Sequence, residues 1–394
     1  MTLANPDIGT GQHEDRRPRP YRRSGFLALA AALLMASFDG AVINVALPAI
    51  AADQGVTPAA AIGAITAYQI AVVISLLPLA ALAESIGFKR VFFAGVGVFA
   101  LGAILSAQSG SIPMLSAARA IQGLGAGAIM SINIAMLRHV LPSARLGRGI
   151  GIMSLVVGCA GAAGPPLAGG ILALLSWHWL FLLSLPLCAV IAVLGAAGLP
   201  DMAGTGRRFD VGSALLNACA FGFFIFALGA AGRHDDPALV LAQLAVAAIA
   251  FVLLTLRQNG RAAPLLPVDL LASRRFALSI LASVCSFVAQ YLALVSLPFF
   301  LLGIMGRSVA EIGLLLTPWP VALAVLAPLS GRLADRISAD YLSTMGMAIF
   351  AAGFLCLAAL PEQAATIDIL WRLALCGIGQ GVFLAPSNRT IISS

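Results

Sequence analysis

Charge is scarce in this chain: Asp, Glu, Lys and Arg make up only 10% of its 394 residues, against about 25% in ordinary soluble domains. That excludes a water-soluble globular fold. Lysine is scarcer still, Lys89 being the only one. No G-x-x-x-x-G-K-[ST] sequence is formed, so no P-loop is present and no nucleotide is expected. The six cysteines (Cys159, Cys188, Cys219, Cys285, Cys356 and Cys376) all fall in apolar stretches and none is spaced as C-x-x-C. They support neither a disulfide framework nor a zinc site. The four histidines, His13, His139, His178 and His234, are scattered. With no metal set and no nucleophile beside a base, neither a metal nor an enzyme activity is expected.

What the chain has instead is hydrophobic length: 60% of its residues are apolar, and runs of the roughly 20 residues needed to cross a bilayer recur throughout. Twelve are predicted: Gly25–Ile50, Ala59–Ala83, Val91–Gln108, Pro113–Leu137, Gly149–Leu175, Trp179–Leu199, Val211–Ala231, Ala238–Leu256, Phe276–Ile304, Gly313–Leu333, Tyr341–Leu360 and Ile367–Pro386. Lipid cannot satisfy open backbone groups, so each is read as a helix and the fold class as an all-α polytopic membrane protein.

The net charge of +7 would suit a nucleic-acid partner, but its distribution excludes that. Among the connections only Arg233 and Arg307 fall on one side of the membrane, while Arg119 and Arg372 lie inside spans; every other Lys and Arg is on the side of the N-terminal tail. This is the positive-inside pattern, and it places the N-terminus in the cytoplasm of a cell whose inner (plasma) membrane the chain crosses. The tail, residues 1–24, is polar and carries Arg16, Arg17, Arg19, Arg22 and Arg23 among prolines. It is read as disordered, with no signal-peptide architecture.

The sequence also repeats. Leu82-Ala83-Glu84 after the second span returns as Leu333-Ala334-Asp335 after the tenth, 251 residues later. Arg119 with Gly123, Gly125 and Gly127 in the fourth span returns as Arg372 with Gly377, Gly379 and Gly381 in the twelfth, the arginines being 253 apart. Two homologous halves follow. The expected division is a six-helix bundle over 25–199, a linker with two inserted helices over 200–275, and a partial four-helix bundle over 276–394. On this logic the second half lacks two helices, whose end would fall about 57 residues past Ser394.

Asp39 is the only acid deep in a first-half span. At 1.5 Å per residue it sits about 21 Å from the cytoplasmic end and about 16 Å from the outer end of its helix. A carboxylate there costs on the order of 3 kcal/mol to insert, so it needs a cavity or a partner. Arg119, within about 7 Å of the same level, is the natural one. An Asp that swaps its proton for an Arg is minimal coupling machinery. The alternative is that Arg119 caps backbone carbonyls while Asp39 hydrogen-bonds a broken first helix. At the cytoplasmic helix ends, Glu84, Gly87 and Arg90 in one half and Arg332, Asp335 and Arg336 in the other are expected to form an interlocking gate, or else a solvated topogenic loop. Gly151, Gly158, Gly161, Gly164, Pro165, Pro166, Gly169 and Gly170 crowd the fifth span, as a tightly packed interface requires. Asn44, Tyr68, Gln122, Gln290 and Tyr291 are candidate cavity residues. Phe38, Phe287, Trp319 and Phe383 could join them or simply pack.

These residues resemble the major facilitator superfamily, specifically its fourteen-helix drug:proton antiporter branch. Phe38-Asp39-Gly40-Ala41-Val42-Ile43-Asn44-Val45-Ala46-Leu47-Pro48 is similar to that branch's first-helix signature D-x-T-I-V-N-V-A-L-P, with Ala41 in place of Thr. Arg119-Ala120-Ile121-Gln122-Gly123-Leu124-Gly125 is similar to R-x-x-Q-G-x-G, and Trp177-His178-Trp179-Leu180-Phe181 to W-R-W-x-F. The fifth span resembles the antiporter motif G-x8-G-x3-G-P-x-x-G-G through Gly151, Gly164, Pro165 and Gly169. The loop motif G-x-L-A-D-R-x-G-R-K is degenerate around Glu84 and cleaner at Gly331–Arg336. The resemblance implies a proton-coupled exporter of small amphipathic or cationic drugs working by alternating access as a monomer, with the proton as coupling ion and no cofactor. In it Asp39 and Arg119 form the coupling pair, and Glu84 and Asp335 are gate acids. A dedicated exporter of one metabolite or antibiotic, or a truncated non-transporting remnant, are the other readings.

Overall fold

The computed structural model describes residues 23–206, 209–232, 236–258, 273–334, 337–361 and 363–393. Among these residues every regular element is a helix, and twelve spans are long and apolar enough to cross a membrane. Ten are single helices: α1 (Arg23–Asp53), α2 (Pro58–Ile86), α3 (Phe88–Ala107), α4 (Ile112–Val140), α5 (Ser143–Leu174), α8 (Val211–Gly232), α9 (Pro237–Gln258), α10 (Arg274–Gly303), α13 (Ala339–Ala358) and α14 (Thr366–Ser393). The sixth and tenth spans are each broken in two, α6 (His178–Leu182) with α7 (Ser184–Gly198), and α11 (Val309–Leu316) with α12 (Pro318–Leu333).

Local chemistry explains these starts and breaks. Thr57 and Ser111 accept the amides of Ala60 and Met114, capping α2 and α4 just ahead of Pro58 and Pro113, where a missing N–H costs nothing. Ser308 and Glu311 form a reciprocal capping box that starts α11, four residues before the apolar run that marks this span in the sequence. The break at Thr317 lies where Pro318 and Pro320 withdraw amide donors, and the Thr317 hydroxyl donates instead to the Gly313 carbonyl at 2.9 Å. At the other break the Ser184 hydroxyl donates to the Phe181 carbonyl at 2.6 Å.

Packing repeats across the chain as closely as the sequence does. A Cβ on Gly123 would lie 2.8 Å from the Ala71 Cβ, and one on Gly377 would lie 2.8 Å from the Ala322 Cβ. A Cβ on Gly125 would stand 2.6 Å from the Gly95 carbonyl oxygen; on Gly379 it would meet the Phe350 Cα at 2.6 Å. Real Cβ atoms do not approach so closely, so glycine is what lets α4 lie on α2 and α3, and α14 on α12 and α13. The glycines of α4 and α14 are 254 residues apart, not 253. That register puts the wholly buried Leu373, not Arg372, at the place of Arg119. Arg372 is turned aside to pair with Asp368 at 3.2 Å and lies over the Trp371 ring. It is therefore no structural counterpart of Arg119.

Helix α8 sits on the flank of α2, where the Asn217 amide donates to the Ile74 carbonyl at 3.0 Å, and α9 packs on α8. Arg257 at the end of α9 closes this pair onto Asp210 at 2.9 Å. Two buried cores organise the rest. One lies wholly within residues 26–202, toward the end where α1 begins. The other lies toward the opposite end and joins both halves, from Val42–Ala51 of α1 through Ala168 of α5 to Leu301, Leu315 and Ile369. There α5 and α11 touch backbone to backbone: a Cβ on Gly169 would be 3.0 Å from the Ala310 oxygen, and Gly313 abuts the Pro165 carbonyl. Gly164 likewise admits the Ala41 methyl of α1. The same end is tied by the Trp177 indole, which donates to Asp53 at 2.9 Å. Trp177→Phe should keep the buried ring and lose that bond, lowering stability in detergent by about 1 kcal/mol; a thermal melt beside Asp53→Asn, which retains an acceptor, measures it.

Candidate functional site

Asp39, Arg119 and Gln122 meet in the first bundle. Arg119 and Gln122 are one turn apart on α4 and so share a face, and that face looks at the middle of α1. The Arg119 Nη1 donates to Asp39 Oδ2 at 2.6 Å and to Gln122 Oε1 at 2.7 Å, while Gln122 Nε2 donates to Asp39 Oδ1 at 2.9 Å. Both carboxylate oxygens are thereby held. Arg119 and Gln122 are fully buried and Asp39 is 8% exposed. Gly102 makes the cluster possible, because a Cβ there would stand 2.6 Å from the Gln122 Cα.

The guanidinium is covered by aromatic faces, with its carbon 4.2 Å from the Tyr68 ring centre and 5.6 Å from that of Phe181. Cation–π attraction stabilises a desolvated cation here by about 2 kcal/mol. Among the described residues Arg119 Nε and Nη2 have no hydrogen-bond acceptor, so the cation is answered by one carboxylate, the Gln122 oxygen and two rings. An arginine held on a single Nη is easier to release than one gripped by a full bidentate fork.

Beside this cluster lies a cavity of about 400 Å³ between the halves. Its walls correspond position by position. Ser37, Gly40, Ala41 and Asn44 of α1 face Phe287, Gln290, Tyr291 and Leu294 of α10, each pair 250 residues apart. Tyr68, Gln69 and Val72 of α2 answer Trp319, Pro320 and Leu323 of α12, and Met130 of α4 answers Leu384 of α14. Among the described lining residues none is charged. Tyr68 belongs to both places: it lines the cavity and its ring lies on Arg119, so it separates the ion pair from the cavity. On the opposite wall Trp319 Nε1 donates to Gln380 Oε1 at 2.8 Å, and Gln380 Nε2 donates to Gln290 Oε1 at 2.7 Å.

The candidate residues fall into three groups. Asn44, Tyr68, Gln290 and Tyr291 line the cavity, as do Phe287 and Trp319. Gln122 does not; it lies on the Arg119 face of α4 and holds the acid from behind. Phe38 packs into the core shared by both halves, and Phe383 is buried. Gln69 and Gln380 are cavity residues that the sequence reading missed; each lies in a register that its neighbours, Tyr68 and the glycines of α14, could have revealed. Of the antiporter-motif residues, Gly164, Pro165 and Gly169 make the contacts with α1 and α11 described above, and Gly151 lies near the start of α5.

Part of the expected gate lies outside the described residues. Glu84, Arg90 and Arg332 are exposed, and Asp335 and Arg336 lie outside the described residues. Gly87 has a positive φ of 107° and brings the connection after α7 close, a Cβ there meeting the Met202 oxygen at 2.8 Å. Thr205 donates its amide to the Glu84 carbonyl at 2.8 Å, and Lys89 pairs with Asp201 at 3.3 Å. The α2–α3 corner is thus clasped by the segment that follows the sixth span.

Residues 29–394 match the Major Facilitator Superfamily profile. The uncharacterized transporter YebQ of Escherichia coli K12 is 46% identical over 96% of this chain and 84% of its own. The riboflavin transporter RibZ of Clostridioides difficile is 26% identical over 92% of this chain and 78% of its own. The multidrug resistance protein Stp of Mycobacterium tuberculosis is 28% identical over 93% and 69% respectively. Among solved structures, a bacterial homologue of the human lysosomal transporter Spinster superposes with a TM-score of 0.64 at 16% identity, covering 95% of this chain and 76% of that one.

Proposed function

Because the chain belongs to the major facilitator superfamily, we propose that it is a proton-coupled secondary transporter that exports small amphipathic molecules by alternating access, of the fourteen-helix drug:proton antiporter branch. The observation that carries this reading is the buried Asp39–Arg119–Gln122 cluster standing behind Tyr68, one side chain away from a cavity between the halves. Multidrug resistance proteins among the relatives support it, as do the two helices inserted between the repeats.

With the basic side as cytoplasm, the packed end of α5 and α11 is outside and the cavity belongs to the inward-accessible state. In that state Glu84 and Arg332 stand exposed, as separated halves of a gate would. A proton arriving from outside adds to an Asp39 oxygen and neutralises the acceptor of Arg119. The guanidinium then has only Gln122 and two rings to hold it. Substrate entering from the cytoplasm presses on Tyr68, exposes the acid to water and favours release of the proton inward; the reformed ion pair stabilises the substrate-bound state. Coupling arises because the acid cannot hold both the proton and the ion pair with Arg119.

A second reading, a dedicated exporter of a single metabolite on the same fold, is favoured by the riboflavin transporter among the relatives. Everted vesicles carrying the protein test the proposal: acidifying the lumen should drive accumulation of substrate, and an ionophore that collapses the gradient should release it. Accumulation that ignores the gradient would refute proton coupling; a panel of amphipathic compounds in which only one is carried would favour the second reading.

A further inference from the structure

The two walls of the cavity offer different chemistry, and the hydrogen-bond polarity of each can be fixed. An indole N–H only donates. Trp319 Nε1 therefore requires the Gln380 oxygen as its acceptor, which turns Gln380 Nε2 toward Gln290, which must in turn present its own oxygen. The chain of three ends on the Gln290 amide nitrogen, a half-buried donor at the cavity wall. Across the cavity Asn44 is fixed by the same logic. Its Nδ2 donates to the Gly40 carbonyl at 3.0 Å, so Oδ1 points away from that bond and is buried without a partner among the described residues. A buried acceptor left open costs about 1–3 kcal/mol unless a ligand or water answers it.

The charge that a lipophilic cation would seek is not on these walls. Asp39 is not among the lining residues, is 8% exposed, and already holds Arg119 and Gln122 through both oxygens. In the second half the place of Arg119 is taken by Leu373 and that of Gln122 by Cys376, both fully buried. Aromatic faces come from Tyr68, Tyr291 and Phe287.

We propose that the cavity binds uncharged, planar aromatic molecules carrying an N–H donor on one edge and a carbonyl on the opposite edge, the donor meeting Asn44 Oδ1 and the carbonyl meeting Gln290 Nε2. This names the substrate class of the export reading above and rests on it for physiological meaning, but it is tested by binding alone. Three fluorescent probes of one shape separate the terms: acridone has both groups, N-methylacridone has only the carbonyl, and 10-methylacridinium is a cation with neither. In equilibrium binding to the complete protein in lipid nanodiscs, with no proton gradient, acridone should bind tightest, by roughly tenfold over N-methylacridone and roughly 100-fold over the acridinium ion, which lacks both groups.

Asn44→Leu should erase the difference between acridone and its N-methyl form. Gln290→Leu should weaken both carbonyl probes, again by roughly tenfold. Gln290→Glu, of nearly the same shape, guards against misfolding and should shift preference toward the acridinium ion. Tighter binding of the acridinium ion to the unaltered protein overturns the inference, as does an unchanged order of the probes in both Gln290 variants. Either result leaves proton-driven export standing, and loss of proton coupling with the acridone preference intact would spare the inference and remove only the export mechanism.

Discussion

Asp39→Asn is expected to abolish accumulation driven by a pH gradient while leaving substrate binding and unforced exchange largely intact. Asn has the shape of Asp and still accepts from Arg119 Nη1 through its single oxygen, but it carries no exchangeable proton. One proton per molecule lets a difference of about 2 pH units sustain roughly a 100-fold gradient, since each unit is worth about 1.4 kcal/mol. In the variant that ratio should collapse to unity in reconstituted vesicles, however steep the imposed gradient. The substituted residue imitates a permanently protonated acid, so counterflow of labelled for unlabelled substrate should persist. Accumulation that survives at its original level would remove Asp39 from the coupling step and shift attention to acids outside the span.

Arg119→Leu is the second large effect, and it acts on the fold before it acts on transport. It strands the Asp39 carboxylate among Tyr68, Phe181 and Gln122. Removing one partner of a buried pair costs about 3–5 kcal/mol. Asp39→Asn combined with Arg119→Leu leaves no charge at all. Replacing a whole ion pair by neutral groups is often harmless to stability, so the double variant should recover most of the loss while remaining uncoupled. A thermal-unfolding cycle in detergent measures the interaction energy. Equal instability of the single and double variants would mean that Arg119 matters through its packing and not through the ion pair.

Depth along a helix could be read from the chain because it needs only a residue count and a rise per residue. That arithmetic set Asp39 and Arg119 near one level, and their side chains meet in the structure. The all-helical, twelve-span architecture was equally accessible, since an apolar run of span length in lipid has only one backbone solution. Which face a residue occupies was harder. Gln122 looked like a cavity residue because it is polar, yet the neighbour one turn away on α4 commits that face to the acid. Arg372 looked like the partner of Arg119 because both precede a glycine run, but the run itself is one residue out of step with the arginine, and one residue on a helix is about 100° of rotation. The span Gly313–Leu333 reads as one helix, although Thr317-Pro318-Trp319-Pro320 carries the signal for the break at Thr317; the tie from Lys89 to Asp201 joins segments 112 residues apart and depends on how the helices close. Tyr68 could be named from its type; that its ring would cover Arg119 depended on long-range packing.

One buried acid among the described residues of the first bundle, Ala289 in the matching place of the second, and an uncharged cavity wall together bear on the energy source. In the proposed cycle a neutral passenger leaves as one proton enters, so each turnover carries a net positive charge inward. Such a device is electrogenic: the membrane voltage adds about 2.3 kcal/mol per 100 mV to whatever the acidity difference supplies. A cell whose surroundings are as alkaline as its interior could still run it on voltage alone. An acid on the Gln290 wall, paired with a cationic passenger, would make the same exchange electrically silent.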